Sequence, residues 1–339
     1  MNRRQHIKKT TFAGIAIFIP KFISRPTDLI IGHNGFKYKV DTNWGNLDPL
    51  KVPVTDCHEM VQDKKGRIIL LTNNVKNNLI YYNTSGKLLK TVQHDFPGAH
   101  GLTLSDEGGD EFLYVTDTNK NTVYKLSIEG KLVMALSFPQ DSGKYKSESE
   151  YMPTETAISS NGDIYVADGY GNQNIVHYDS KGNIKNIFGG RGEGDDQFLN
   201  AHGIAIDSRD GHEKLLITAR MKNELKYFDL NGNYKSTIKL PGAFICRPVV
   251  NKDNVYLATI WTNKGESNSG VITILDSKNQ VVSQPGAVKP EYNYNILSSS
   301  RQGIQLFKHP HDICVDKDEN LYVAQWNAGK VYPYKLIRI

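Results

Sequence analysis

Four histidines, His58, His100, His202 and His311, stand at one place in a pattern that recurs along this chain. The pattern is a leading residue, a His or Thr, any residue and an apolar residue. A turn follows, then a strand of the type apolar-Tyr-apolar-Ala/Thr. It starts at Cys57 (CHEMVQDKKGRIILLT), Ala99, Pro153, Ala201, in degenerate form near Ile245 (ICRPVVNKDNVYLAT), and at Pro310 (PHDICVDKDENLYVAQ). Thr154 takes the histidine position in the third unit, and Arg247 is expected there in the fifth. A neutral imidazole is a good zinc ligand. Three of them converging, with a fourth position open to water, are what catalytic zinc requires. One histidine in such a repeat is more often consensus filling, bonded to a neighbouring backbone. Four at equivalent positions favour a shared metal site.

The elements that would bring them together are short strands. Residues 153–208 show the unit most clearly. Ala157–Ile158 and Ile164–Ala167 are apolar runs separated by SSNGD, a turn rich in residues that tolerate φ > 0. Ile175–Tyr178 follows the DGYGNQ turn, and Ile184, Ile187 and Phe188 follow DSKGN. One four-stranded antiparallel sheet leaves an apolar face bare, so copies must cover it. The repeats are spaced by about 42 to 64 residues, the range of a propeller blade with variable loops. The chain therefore reads as all-β: a six-bladed β-propeller over residues 26–339, each blade opening with the motif strand innermost. The last blade, ending VYPYKLIRI, supplies only three strands. Phe36–Trp44 is expected to add the fourth and close the ring, which removes the sheet edges.

Residues 1–25, MNRRQHIKKTTFAGIAIFIPKFISR, read as an export leader of the twin-arginine type, with Arg3 and Arg4 paired before an apolar stretch too short to span a bilayer. A periplasmic or secreted location follows from that reading. The leader holds six basic residues and no acid. The whole chain has 41 Lys and Arg against 36 Asp and Glu; 41 less six is 35, so the rest of the chain is near −1 rather than +5. The hint of a nucleic-acid or membrane-surface partner that a basic pI would carry disappears with the leader, and no nucleic-acid partner is expected. No membrane span is expected in the mature protein, and a monomer is. Cys57, Cys246 and Cys314 lack metal-binding spacing. Cys57 and Cys314 read as buried thiols or as a bridge between the first and last blades. There is no GxSxG elbow, phosphate-binding loop, HExxH or EF-hand loop. DSKGNIKN and DLNGNYKS are turn chemistry before they are calcium chemistry. The polar stretches TNKGESNSG and DSGKYKSESEYM are expected to border the channel mouth.

The segments PTETAISSNGDIYVADGYGNQNIVHY, FGGRGEGDDQFLNAHGIAI and HPHDICVDKDENLYVA resemble the NHL-repeat propellers, and within them the peptidyl-α-hydroxyglycine α-amidating lyases. The resemblance spans nearly the whole chain after the leader. It implies zinc on His100, His202 and His311, a catalytic tyrosine at Tyr170 in the DGY turn, and an active-site arginine at Arg220. It also implies a structural calcium on Asp312 with the carbonyls of Leu102 and Met60. Four departures bear on the substrate. Asn73 stands where the family has a second arginine. His309 replaces a methionine, Gly171 replaces a disulfide cysteine, and His58 is an extra channel histidine. An asparagine does not bind a carboxylate bidentately as arginine does. His58, Asn73, Arg247 and His309 are therefore the candidate substrate-binding residues of an altered pocket.

The resemblance implies a lyase in which zinc polarises a substrate oxygen and Tyr170 takes a hydroxyl proton as the C–N, or a C–O, bond breaks. The substrate is then a peptide, sugar-like or other small molecule hydroxylated at the reacting carbon. The alternative class is a non-catalytic NHL propeller binding a glycan, peptide or partner protein on one face. The fold serves both classes.

Overall fold

The computed structural model describes residues 29–339; the leader at residues 1–25 lies outside them. Six antiparallel sheets form the ring, and a two-residue-per-strand hairpin, Tyr292–Asn293 with Ile296–Leu297, decorates it. The third blade has strands Glu155–Ile158, Ile164–Ala167, Asn174–Tyr178 and Ile184–Gly189, each beside its sequence neighbour. These match the four apolar runs read from the sequence. Every blade opens with the motif strand, and those strands touch one another around the axis: Cys57–Gln62, Ala99–Glu107, Glu155–Ile158, Ala201–Asp207, Phe244–Asn251 and Pro310–Val315.

The ring closes as expected, with one strand more. Phe36–Asp41 pairs with the final strand Tyr334–Arg338, and Ile30–His33 pairs outside it, giving that blade five strands. Buried Tyr38 and Leu336 then share a core with Ile313, Leu321 and Val323 of the same blade and Ile272 and Ile274 of the fifth. The other interblade cores follow the same plan. Ile69, Leu71 and Tyr81 of the first blade meet Leu102, Leu113 and Val115 of the second.

The acidic and amide residues of the blade turns act as turn caps. An Asp179 oxygen accepts the N–H groups of Lys181 and Asn183, and Asp229 does the same for Asn231 and Asn233. All three cysteines are buried and free, so the Cys57–Cys314 bridge does not form. No helix among the described residues is long and apolar enough to cross a membrane.

Candidate metal centre and substrate cavity

The motif strands carry a bulge at the channel. In the fourth blade Ala201 pairs with Ala219 and Ile204 with Ile217, so His202 and Gly203 stand against Thr218 alone. The second blade repeats this, with His100 and Gly101 between the Ala99–Asp117 and Leu102–Val115 pairs. In the fifth blade Ile245 pairs with Thr259 and Pro248 with Leu257. Cys246, not Arg247, is thus the counterpart of the histidines. The channel layer runs His58, His100, Thr154, His202, Cys246, His311, and the layer behind it runs Glu59, Gly101, Glu155, Gly203, Arg247, Asp312. Glycine is required at Gly101 and Gly203 because the next blade's backbone lies against them. A Cβ would come within 2.5 Å of the Thr154 carbonyl at the first and 2.4 Å of the Cys246 carbonyl at the second.

The histidines converge. Ring centroids are 4.8 Å apart for His100–His202, 4.8 Å for His100–His311 and 5.0 Å for His202–His311. His58 joins at 5.0 Å from His100 and 4.9 Å from His311. Burial drives all four imidazoles toward the neutral form, His58 to a pKa of about 4 and the others well below the usual value. Neighbouring backbone fixes the tautomers of two: His100 Nδ1 lies 2.8 Å from the Thr154 carbonyl and His311 Nδ1 3.2 Å from the His58 carbonyl. Their Nε2 lone pairs are then left to face the axis, the arrangement usual for metal-bound histidine. The Tyr170 hydroxyl sits between two imidazoles, 3.1 Å from His100 Nε2 and 3.0 Å from His202 Nε2. The O–H donates to one of these nitrogens; toward the other the phenol oxygen accepts only if that ring carries its proton on Nε2. The buried Nδ1 atoms of His58 and His202 have no hydrogen-bond partner, and the Cys246 backbone lies beside the His202 ring. With the Nδ1 of His100 and His311 committed to backbone carbonyls, their Nε2 lone pairs converge in a way that fits a cation.

Tyr170 comes from the turn after Ile164–Ala167, which Asp168 holds by accepting the Met152 N–H at 2.6 Å and the Asn172 N–H at 2.7 Å. Gly171 is confined by that turn: a Cβ there would come within 2.2 Å of both the Asp168 carboxylate and the Glu150 carbonyl. Tyr170 is 40% exposed overall, yet its hydroxyl is the end wedged among the imidazoles. Desolvation of that hydroxyl raises its pKa, and the Arg220 charge offsets only part of the rise. Arg220 is buried, its Nε donating to the Ile245 carbonyl at 3.3 Å and its NH2 lying 3.3 Å from Cys246 Sγ.

These groups floor a cavity of about 790 Å³ at one mouth of the channel, lined also by Asn73, Arg191, Trp261, Lys264 and Trp326. Lys264 comes from TNKGESNSG, so that insert does border the mouth. The other insert instead props the tyrosine turn, Glu150 accepting from the Asn172 amide at 3.2 Å. Asn73 lines the cavity with its carboxamide engaged by Asp56, its Nδ2 donating at 3.0 Å and its Oδ1 accepting the Asp56 N–H at 2.9 Å. His309 is not at the cavity surface. It lies beside Trp326 and Trp261, ring centroids 5.6 and 6.3 Å away.

Arg247 is likewise not a residue of this cavity; it lines a separate one of about 410 Å³ with Met60, Thr103 and Thr156. Its guanidinium fills the layer behind the histidines, Nε and NH2 donating to Asp312 at 3.0 and 3.1 Å, and NH1 to the Leu102 carbonyl at 2.7 Å. Glu59 lies 3.2 Å from it and Glu155 3.7 Å. Asp312 also accepts the Met60 N–H at 2.8 Å. The residues expected to hold calcium do not fit that ion here, because an arginine side chain already supplies the positive charge among them. Cys246, Glu59, Glu155 and Asp168 were missed as site residues. The bulge that sets the register of the fifth blade has no sequence signal of its own.

A family model described as a 6-bladed beta-propeller, DUF5128, matches residues 154–330. The chain belongs to this propeller family. A probable peptidyl-alpha-hydroxyglycine alpha-amidating lyase of Caenorhabditis elegans is 40% identical over 86 residues, 25% of this chain and 23% of the relative. Peptidyl-alpha-hydroxyglycine alpha-amidating lyase 1 of Drosophila melanogaster is 26% identical over 274 residues, 72% of this chain and 46% of that protein. The chain thus spans less than two thirds of the length of these curated relatives. Among solved structures, a streptogramin B lyase superposes with a TM-score of 0.58 at 17% identity, covering 90% of this chain and 99% of that one, which is a likeness of fold.

Proposed function

We propose that this protein is a metal-dependent lyase of the amidating-lyase kind, acting on a small molecule or peptide hydroxylated at the carbon whose C–N or C–O bond breaks. The observation that carries the reading is the Tyr170 hydroxyl placed at about 3 Å from two buried neutral imidazoles, His100 and His202, with His311 closing the triangle. His100, His202 and His311 would hold the metal, and zinc is the ion the donor set fits. Bound there, it would supply Lewis-acid polarisation of a substrate oxygen.

The chain's own residues supply the rest. Tyr170 takes the proton of the substrate hydroxyl as the carbonyl forms, and the leaving nitrogen departs as an amide after gaining a proton. Burial alone makes the phenol a reluctant acid, so the Arg220 charge is what moves it toward the base form. Asn73, tied to Asp56, does not offer the bidentate fork that a glycine-type carboxylate calls for. Trp261 and Trp326 give the cavity apolar walls instead. A substrate recognised through an apolar or sugar-like group beside the reacting carbon matches this lining. We also keep export through residues 1–25 as part of the proposal; a reporter fused to that segment, with Arg3 and Arg4 replaced by Lys, tests it.

The deciding experiment is metal analysis of protein purified without added metal, beside His202→Ala, together with release of glyoxylate from a peptidyl-α-hydroxyglycine and of carbonyl product from related hemiaminals. Stoichiometric zinc lost in the variant supports the lyase. A folded wild type that binds no zinc sinks it and leaves a ligand-binding propeller.

A further inference from the structure

The donors at the channel layer fall into two overlapping sets. Ligand atoms of His58, His100 and His311 lie within 4.8 Å of one another, and so do those of His202, Cys246 and His311. All five side chains are buried. The bulge register makes Cys246 the fifth-blade equivalent of the histidines. It reached this position without any Cys-x-x-Cys spacing, because the sequence between blades, not within one, separates it from its partners.

We propose that Cys246 is a metal ligand of this centre: His202, His311 and Cys246 would hold the ion, His100 keeping its contact with the Tyr170 hydroxyl and the fourth position staying open to a substrate oxygen. The proposal rests on the metal reading above and exchanges one ligand in it, Cys246 for His100. Three features of the site support it. Sulfur lies within ligand reach of two imidazoles that are themselves neutral, and thiolate is a strong zinc donor. The Arg220 NH2 already donates toward Sγ at 3.3 Å, so the sulfur stands as an acceptor beside a fixed positive charge. Sγ also makes a 3.8 Å approach to the Pro310 carbonyl, which costs little to give up, and has the Ile260 backbone beside it. The remaining thiols do not compete for the ion: Cys57 bonds the Val331 carbonyl, and Cys57 and Cys314 lie in the apolar cluster around Trp44 and Tyr82.

A sulfur ligand has a chemical consequence. It donates charge to the ion and weakens its pull on a substrate oxygen, and Arg220 beside the sulfur counters that donation. Arg220 would then serve two partners, the Tyr170 hydroxyl and the Cys246 sulfur.

X-ray absorption at the zinc edge of the zinc-loaded full chain tests this without reference to turnover. One sulfur at about 2.3 Å with nitrogens at about 2.0 Å is the expected shell. In Cys246→Ser the sulfur scatterer should vanish, and cobalt-loaded wild type should show a near-ultraviolet sulfur-to-cobalt absorption that the variant lacks. Zinc bound through nitrogen and oxygen alone overturns the sulfur assignment and leaves the lyase reading standing. A sulfur shell that survives in Cys246→Ser overturns the assignment to this residue. A wild type that binds no zinc overturns both readings together. If Cys246→Ser does not fold, the wild-type shell decides, since the other two thiols lie outside the centre.

Discussion

Replacing Arg247 by Met would leave three carboxylates, Glu59, Glu155 and Asp312, each no more than 1% exposed, with no counter-charge. Removing one partner of a buried ion pair costs about 3–5 kcal/mol. Unfolding entropy near 2.1 cal/mol/K per residue gives about 0.65 kcal/mol/K for about 310 residues, so the loss reads as a fall of about 5 to 8 °C in Tm, taking the ring as one cooperative unit. The penalty should depend on pH with a defined sign. Burial already raises Glu59 well above the usual carboxylate range and Asp312 to about 6 with the guanidinium present. Without it they rise further, so the folded variant binds more protons than the unfolded chain and loses stability as pH rises. The gap between variant and wild type should therefore be narrower at pH 5 than at pH 8. Calcium gives the second arm. Wild type should melt at the same temperature in calcium and in chelator. Arg247→Ala, which opens a space among carboxylate and carbonyl oxygens, should gain several degrees from calcium. Scanning calorimetry of the three proteins in both media at both pH values makes the measurement. A wild type stabilised by calcium, or a variant within a degree of wild type at pH 8, would refute the assignment of Arg247 as the built-in cation.

Tyr170→Phe removes the base while keeping the ring, and should lower kcat by about 10²–10⁴ with zinc content unchanged; turnover at the wild-type rate would show that another group takes the proton. His58 is held neutral to a pKa of about 4 against a usual 6.5, so its contribution is complete above about 6.5 and is lost as pH falls through about 4; Tm should drop across that window, and less in His58→Asn. Bound zinc should leave over the same acid range as the buried imidazoles are driven to protonate, which dialysis at graded pH would follow. Deleting residues 29–45 strips Phe36–Asp41 from the last strand and uncovers Leu336, so the truncated chain should aggregate; a soluble product with an unchanged Tm would mean the ring closes without it.

Much of the architecture could be read before any coordinate. Alternating apolar residues set strands, Asp, Asn and Gly set the turns, and copies of one unit oblige the sheets to close on themselves. The channel histidines could be read from the repeat as well, whereas Tyr170 and the choice of His100, His202 and His311 among the four came only from the resemblance carried by the DGY turn and its neighbours. What the sequence did not determine lies where a bulge changes the phase of a strand. In ICRPVV either residue 246 or 247 can face the channel, and only pairing with Thr259 and Leu257 decides for Cys246. That one-residue shift moves a thiol into the imidazole layer and an arginine among the acids behind it. Periodicity is a local property carried by adjacent residues. Which side chains share an ion or a charge is a property of six strands meeting around an axis, and is settled only by their packing.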